Sequence, residues 1–288
     1  MANKPDFIII GAMKCATSSI HTQLALQPGI FMSTPKEPNF FSDDDHYARG
    51  LSWYESLFAE AKSGDLCGES STHYTKLPDY PGCIARMKAY LPELKLVYVM
   101  RHPIDRLVSH YIHQWSQNVF TCDINQAIDQ YEELIAYSSY ARQLEPYIQA
   151  FGKNNILPVF FEAVKARPQQ ELQCIANFIG YDKPVAWVEE LAQQNASNER
   201  VRRFPGYDLL VDSPIMTSLR RVFVPQFIRN KIKKNLTMQN RPVLDANNTE
   251  RLIATFDKDL AILGDWLNLD LNCANFAKTA LSDSPIWR

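Results

Sequence analysis

The sequence predicts an α/β fold, a central and mostly parallel sheet flanked by helices. Three observations carry that expectation. Apolar runs at residues 7–10, 94–100 and 155–161 are dense enough for strands buried on both faces. The first two pass, after a short polar turn, into apolar spacing of three and four residues, which is helical. No internal repeat, low-complexity tract or linker divides the 288 residues, so one domain over 1–288 is expected.

The first unit is the most informative. Residues 7–10 lead through Gly11 into Lys14, Cys15, Ala16, Thr17, Ser18 and Ser19, and helical spacing begins at Ile20 and Leu24. Strand, tight loop and helix make a P-loop-like layout: N–H groups of the loop and first helical turn lack intrahelical partners and converge on an anion, and Lys14 adds charge. Thr17, Ser18 and Ser19 can cap the helix or donate to phosphate oxygens. The second glycine of a Walker A motif is absent and the hydroxyls start three residues after Lys14, so the β/γ-phosphate and magnesium arrangement of an NTPase is not expected. Cys15 is read as the small residue that a tight loop demands, with a reactive thiolate as the alternative.

Residues 30–32 suit a short strand. In the loop that follows, Pro35 and Pro38 bracket Lys36 and Glu37, and each proline disfavours helix before it, so Glu37 is expected in extended backbone. A stiff charged loop beside a phosphate site suits a general base; a solvated ion pair is the alternative. The acidic run at 42–45 reads as a solvated face and 51–61 as a helix. Residues 66–74 are too polar for a helix and are expected as a turn after a short strand, placed to line a ligand crevice.

Residues 84–91 read as a helix and 94–100 as a strand ending at Arg101, with Pro103 opening the next helix. Ser109 lies about two turns on, roughly 9–12 Å by helical rise, so Arg101 and Ser109 can grip one phosphate. Pairing of Arg101 with Asp105 is the alternative. The acid of a Walker B motif would stand here in an NTPase, and Arg101 takes its place. Helices are expected at 123–136, 139–151, 168–179, 187–192 and 248–267, and a strand at 155–162. Residues 193–212, with Arg200 and Arg202, lose periodicity, and 220–234 read as a basic helix face.

Lys plus Arg number 30 against 32 Asp plus Glu, a net charge of −2, which gives no general polyanion-binding signal and argues against nucleic acid. The six cysteines form no C-x-x-C pair and His110 and His113 lack a carboxylate at ligand spacing, so neither disulfides nor a metal site is expected. The opening residues run straight into the first strand and no stretch reaches the roughly 18 apolar residues of a membrane helix. A cytoplasmic protein with no membrane partner is expected; a homo-oligomer is left open.

Together these pieces resemble the sulfotransferases that use 3′-phosphoadenosine 5′-phosphosulfate (PAPS), above all the carbohydrate branch that includes the heparan sulfate enzymes. The likeness runs through residues 7–115 and includes Lys36-Glu37-x-x-Phe40-Phe41 and the His46 to Tyr54 run. It implies the sulfotransferase fold, PAPS as donor with adenosine 3′,5′-bisphosphate (PAP) as product, and no metal. By resemblance, Gly11 to Ser19 hold the 5′-phosphosulfate, Arg101 and Ser109 the 3′-phosphate, and Glu37 is the base. Arg200 and Arg202 are assigned to the 3′-phosphate or to a cover over the donor. Lys36, Glu37, Phe40, Ser70 and His73 are expected on the acceptor side, and His73 is a second catalytic candidate beside Glu37 and Lys14. Ser70 stands where the resemblance expects a lysine, and Asn39 where a histidine often follows the base. With the chain slightly acidic, a neutral or cationic small-molecule acceptor is expected, a glycan acceptor being the alternative. A small-molecule kinase and a non-catalytic nucleotide-binding or glycan-binding module are the competing classes.

Overall fold

The computed structural model describes residues 4–193, 202, 236–282, 285 and 287–288. Five strands, β1 (Phe7–Gly11), β2 (Ile30–Met32), β3 (Leu66–Ser70), β4 (Lys95–Met100) and β5 (Ile156–Phe160), form one sheet in the order β2-β3-β1-β4-β5. Every pairing is parallel, with Phe7 opposite Gly68 on one side and Lys95 on the other. The central strand β1 is buried along its whole length, which is why it is apolar at each of residues 7–10.

The described helices are α1 (Thr17–Ala25), α2 (Asp44–Tyr47), α3 (Leu51–Ser56), α4 (Cys83–Tyr90), α5 (Pro103–Ser116), α6 (Ile124–Gln130), α7 (Glu133–Ala136) and α8 (Tyr140–Phe151). After β5 come α9 (Phe161–Ala166), α10 (Pro168–Ile179), α11 (Glu189–Gln193), α12 (Ala246–Leu267) and α13 (Phe276–Ser282). A 3-10 turn covers Thr72–Thr75. Helix α1 packs on α10, which also contacts β4 and β5, while α4, α8 and α12 form a second packed group. The sheet with helices packed around it is the expected class.

Several boundaries differ from the sequence expectation. The polar run at 66–74 is itself the strand β3 followed by the 3-10 turn, because Glu69, Ser70 and Ser71 are buried with partners from distant residues. The acidic run is not merely a solvated face: Asp43 caps α2 by accepting from the His46 N–H at 3.0 Å. The helix expected over 123–136 is two helices, broken at Tyr131 where the backbone turns extended. Helix α13 was not expected.

Two glycines are fixed by close approach. A Cβ at Gly11, whose φ is +157°, would lie 2.0 Å from Thr75 Oγ1, which donates to the Ile10 carbonyl at 2.8 Å. A Cβ at Gly68 would lie 2.2 Å from the buried Phe7 ring. Overpacking of this kind costs roughly 1–3 kcal/mol, so Gly68→Ala should lower Tm by a few degrees in calorimetry. An unchanged Tm would show that β1 and β3 can separate without cost.

Candidate active site

The carboxyl ends of β1, β3 and β4 open into one cleft of about 980 Å³. In an open parallel sheet this is where ligands sit, because the strand order reverses about β1: the chain runs from β1 to β2 and β3 on one side and then crosses to β4 on the other.

The loop after β1 forms the floor. Ala12 N–H donates to the Val99 carbonyl at 2.8 Å, which ties the start of the loop to β4. Lys14 (φ +72°) and Ala16 (φ +63°) take the left-handed conformation, the geometry of backbone nests that gather N–H groups around an anion. Ala16 is the N-cap of α1 and provides no side-chain cap, so the first N–H groups of α1 are left without one. Lys14, Ala16, Thr17, Ser18 and Ser19 all line the cleft.

Arg101 and Ser109 line the same cleft. Backbone at 101 is clamped by Tyr140, whose hydroxyl accepts from the Arg101 N–H at 3.1 Å and donates to its carbonyl at 2.5 Å. The Arg101 guanidinium lies 4.8 Å over the Phe161 ring. Asp105 pairs instead with Arg241, another cleft residue. Thus the alternative of an Arg101–Asp105 pair is not what the structure holds.

Glu37 faces the cleft from the loop after β2, together with His73 from the 3-10 turn. Its backbone is left-handed (φ +60°) and not extended as expected, and Asn39 is left-handed too (φ +51°). Cross-links to β3 hold this loop: Glu37 N–H donates to the Ser70 carbonyl at 2.9 Å, and Asn39 N–H to Ser71 Oγ at 3.1 Å. Behind them sits Glu69, wholly buried. It accepts from Tyr54 Oη (2.6 Å) and Tyr74 Oη (2.9 Å) on Oε1, and from Ser71 Oγ (2.8 Å) on Oε2. Tyr74 Oη also accepts from the Phe41 N–H at 3.4 Å. One carboxylate therefore braces both halves of the loop that carries Glu37.

Electrostatics separate the two carboxyl groups. Burial pushes Glu37 up, but Lys36, Lys76 and His73 outweigh it and leave the carboxyl below its ordinary range, hence ionised at neutral pH. Burial dominates at Glu69 and raises it to about 7 despite its three hydroxyl donors. His73, stacked on Tyr80 at 4.9 Å, is lowered to about 4, chiefly by burial, and is neutral at pH 7.

Other expected site residues lie elsewhere. Phe40 is fully buried, stacked on Tyr54 at 4.6 Å within an aromatic cluster, and Ser70 is fully buried with Oγ 2.9 Å from His21 Nδ1. Neither lines the cleft, so their expected acceptor contacts are corrected. Lys36 does not line it either; its ammonium donates to Glu37 Oε1 at 2.5 Å. Gly11 lies beneath the floor against Thr75. Cys15 has no exposed surface, its N–H donates to the Ala12 carbonyl at 3.2 Å, and burial pushes its thiol up to about 12. Neither a thiolate nor a direct donor contact at Cys15 fits that geometry. Arg202 donates to Asn118 Oδ1 at 2.9 Å beside the Trp115 ring and is not part of the described lining. Arg200 lies outside the described residues.

Sequence reasoning missed Lys76, Lys165 and Arg241, and the apolar lining by Phe161, Val164 and Trp187. The indole Nε1 of Trp187 is buried without a partner among the described residues. Phe161 directly follows β5, and a strand end beside the other two was the one signal that could have found it. Among the described residues, no group of three His, Cys, Asp or Glu could hold a metal, and no helix is long and apolar enough to cross a membrane. All six cysteines are free thiols.

Lys14 from the loop after β1, Glu37 from the loop after β2 and Arg101 from the end of β4 thus meet in one cleft of a parallel sheet. The sulfotransferase domain family matches residues 4–255, and the chain belongs to that family. Over 185 residues it is 29% identical to the heparan sulfate glucosamine 3-O-sulfotransferase 3B1 of Mus musculus, covering 61% of this chain and 46% of that protein. Over 279 residues it is 23% identical to the bifunctional heparan sulfate N-deacetylase/N-sulfotransferase 2 of Homo sapiens, covering 83% of this chain and 30% of that protein. The chain thus spans about half the length of the 3-O-sulfotransferase it matches, or less of the bifunctional protein. A solved sulfotransferase from Alicyclobacillus acidocaldarius shares its fold with a TM-score of 0.66 at 23% identity, over 93% of this chain and 98% of that one.

The Glu69 brace has a pH signature. Its carboxyl ordinarily titrates at 4.5 and is raised to about 7 in the fold, so the folded state holds that proton more tightly than the unfolded chain. The stability it contributes is full below about 4.5 and is lost as pH rises to about 7. Denaturant titrations should show that decline in the wild type and a flatter curve in Glu69→Gln; identical slopes would place the titration elsewhere.

Proposed function

We propose that this chain, as one catalytic domain over 1–288, transfers the sulfuryl group of PAPS to a hydroxyl or amine of a glycan. The observation that carries the reading is the meeting of Lys14, Arg101 and Glu37 in a single cleft. Its residues fit the donor: an uncapped, left-handed loop for one anionic end, Arg101 and Ser109 for the other, and the apolar lining of Phe161, Val164 and Trp187 for the base.

PAPS supplies an activated sulfuryl group whose S–O bond to the 5′-phosphate breaks as the acceptor's O–S or N–S bond forms. Lys14 and the N–H groups of the loop neutralise the charge left on the 5′-phosphate. Glu37, ionised at neutral pH, accepts the proton released by the acceptor. The neutral His73 ring lies beside it and can donate to or accept from an acceptor hydroxyl. These residues supply positioning and charge stabilisation, which dominate such transfers.

A glycan replaces the small-molecule acceptor expected from the net charge of −2. Net charge is a property of the whole surface, while the cleft is lined by Lys14, Lys76, Arg101 and Lys165, with Arg241 paired to Asp105, against Glu37 alone among its described carboxylates. The similarity to heparan sulfate enzymes supports the same choice.

Thermal shift should show stabilisation by PAP and none specific to ATP with magnesium. With labelled PAPS and an undersulfated heparan oligosaccharide, Glu37→Gln should lose roughly 10²–10⁴ in kcat while binding PAP normally. Unchanged turnover would remove Glu37 as the base. Because the step uses no metal, EDTA should leave the rate unaltered.

A further inference from the structure

We propose that Lys76 grips the sulfuryl oxygens of the donor, opposite the phosphate loop, and so supplies the second cation of the transfer. This rests on the PAPS reading above.

Position comes first. Lys76 follows the 3-10 turn Thr72–Thr75, and its backbone is anchored on both sides. Before it, Thr75 Oγ1 donates to the Ile10 carbonyl at 2.8 Å, one residue ahead of Gly11. After it, Leu77 N–H donates to Gln143 Oε1 and Gln143 Nε2 donates to the Leu77 carbonyl, each at 2.9 Å. Lys76 thus sits in the turn after β3, tied through Thr75 to the strand that ends in the loop of Lys14. Its side chain reaches the same cleft wall as Glu37 and His73.

Charge comes second. Among the described residues the ammonium makes no ion pair; the Tyr137 ring is 5.8 Å away. Facing it are Glu37 from the loop after β2, Asp79 from the turn before α4, and the buried Arg106 of α5; His73 and His110 are held neutral by burial. Burial and Arg106 pull the ammonium down to about 8, against the opposing pull of Glu37 and Asp79. A cation this poorly compensated gains most from an anion brought into contact. The anion nearest to both Glu37 and the phosphate loop is the group in transit between them. Lys14 stabilises the leaving side of that group, and Lys76 its three oxygens.

Donor and product differ by that group, so the test needs no acceptor. PAPS and PAP affinities are measured by calorimetry at pH 7 and pH 9 for wild type, Lys76→Met and Lys76→Arg, with apo Tm recorded. Lys76→Met should weaken PAPS about 10-fold or more, as expected for losing a charge-assisted bond, while PAP changes less than about threefold. Wild-type PAPS affinity should fall from pH 7 to pH 9 more than PAP affinity, since a neutral amine must regain its proton; Lys76→Arg, always charged, should abolish that extra fall. Should Lys76→Met fail to fold, Lys76→Arg carries the test alone. Equal losses for both ligands, no loss, or a pH dependence unchanged in Lys76→Arg would overturn the assignment. A wild type that binds neither ligand would instead overturn the PAPS reading.

Discussion

The site depends on the divergence of the chain at the carboxyl end of β1. Strand β1 lies between β3 and β4, so the segments leaving those three strands cannot all occupy the same space and a crevice opens above them. The left-handed turn at Lys14 and Ala16 lines that crevice. The turn is held by the sheet it leaves: Ala12 is bonded to Val99, and Thr75 closes over Ile10. The shape of this part of the cleft is therefore a property of backbone geometry, with Lys14 added to it.

The opposite wall is built from side chains. Glu69, two hydroxyls of tyrosine and one of serine form a buried polar network beneath the loop of Glu37. Such a network is costly to bury and rigid once satisfied. It lets a loop with two left-handed non-glycine residues keep one shape. The two carboxyl groups divide the work by environment: the enclosed one braces, and the one beside Lys36 and Lys76 stays ionised.

Legibility in the sequence followed the locality of the causes. β1 with α1 and β4 with α5 were readable because an apolar run, a breaker and helical spacing occur within twenty residues. The nine expected cleft residues that do meet, from Lys14 to Ser109, sit on or just after these readable units or their neighbouring loops. Strand β3 was misjudged because its polar residues are satisfied by Tyr54, Tyr74 and His21, whose proximity only the fold creates. Lys76, Trp187 and Arg241 were missed for the same reason: no spacing rule links them to Lys14. Phe40 and Ser70 were overcalled because a motif marks neighbourhood, not the direction a side chain takes.

The stacking of Arg101 on Phe161 narrows what that arginine can recognise. With the Phe161 ring 4.8 Å from the guanidinium carbon, one approach is apolar, and the N–H donors lie in the plane of the group. A phosphate approaching edge-on meets two parallel donors, whereas a ligand arriving from the covered side meets hydrocarbon. A nucleotide that carries only a hydroxyl there would leave the planar fork half satisfied. On the function proposed above, selection between mono- and bisphosphorylated adenosines would then lean on an aromatic side chain as well as on Arg101.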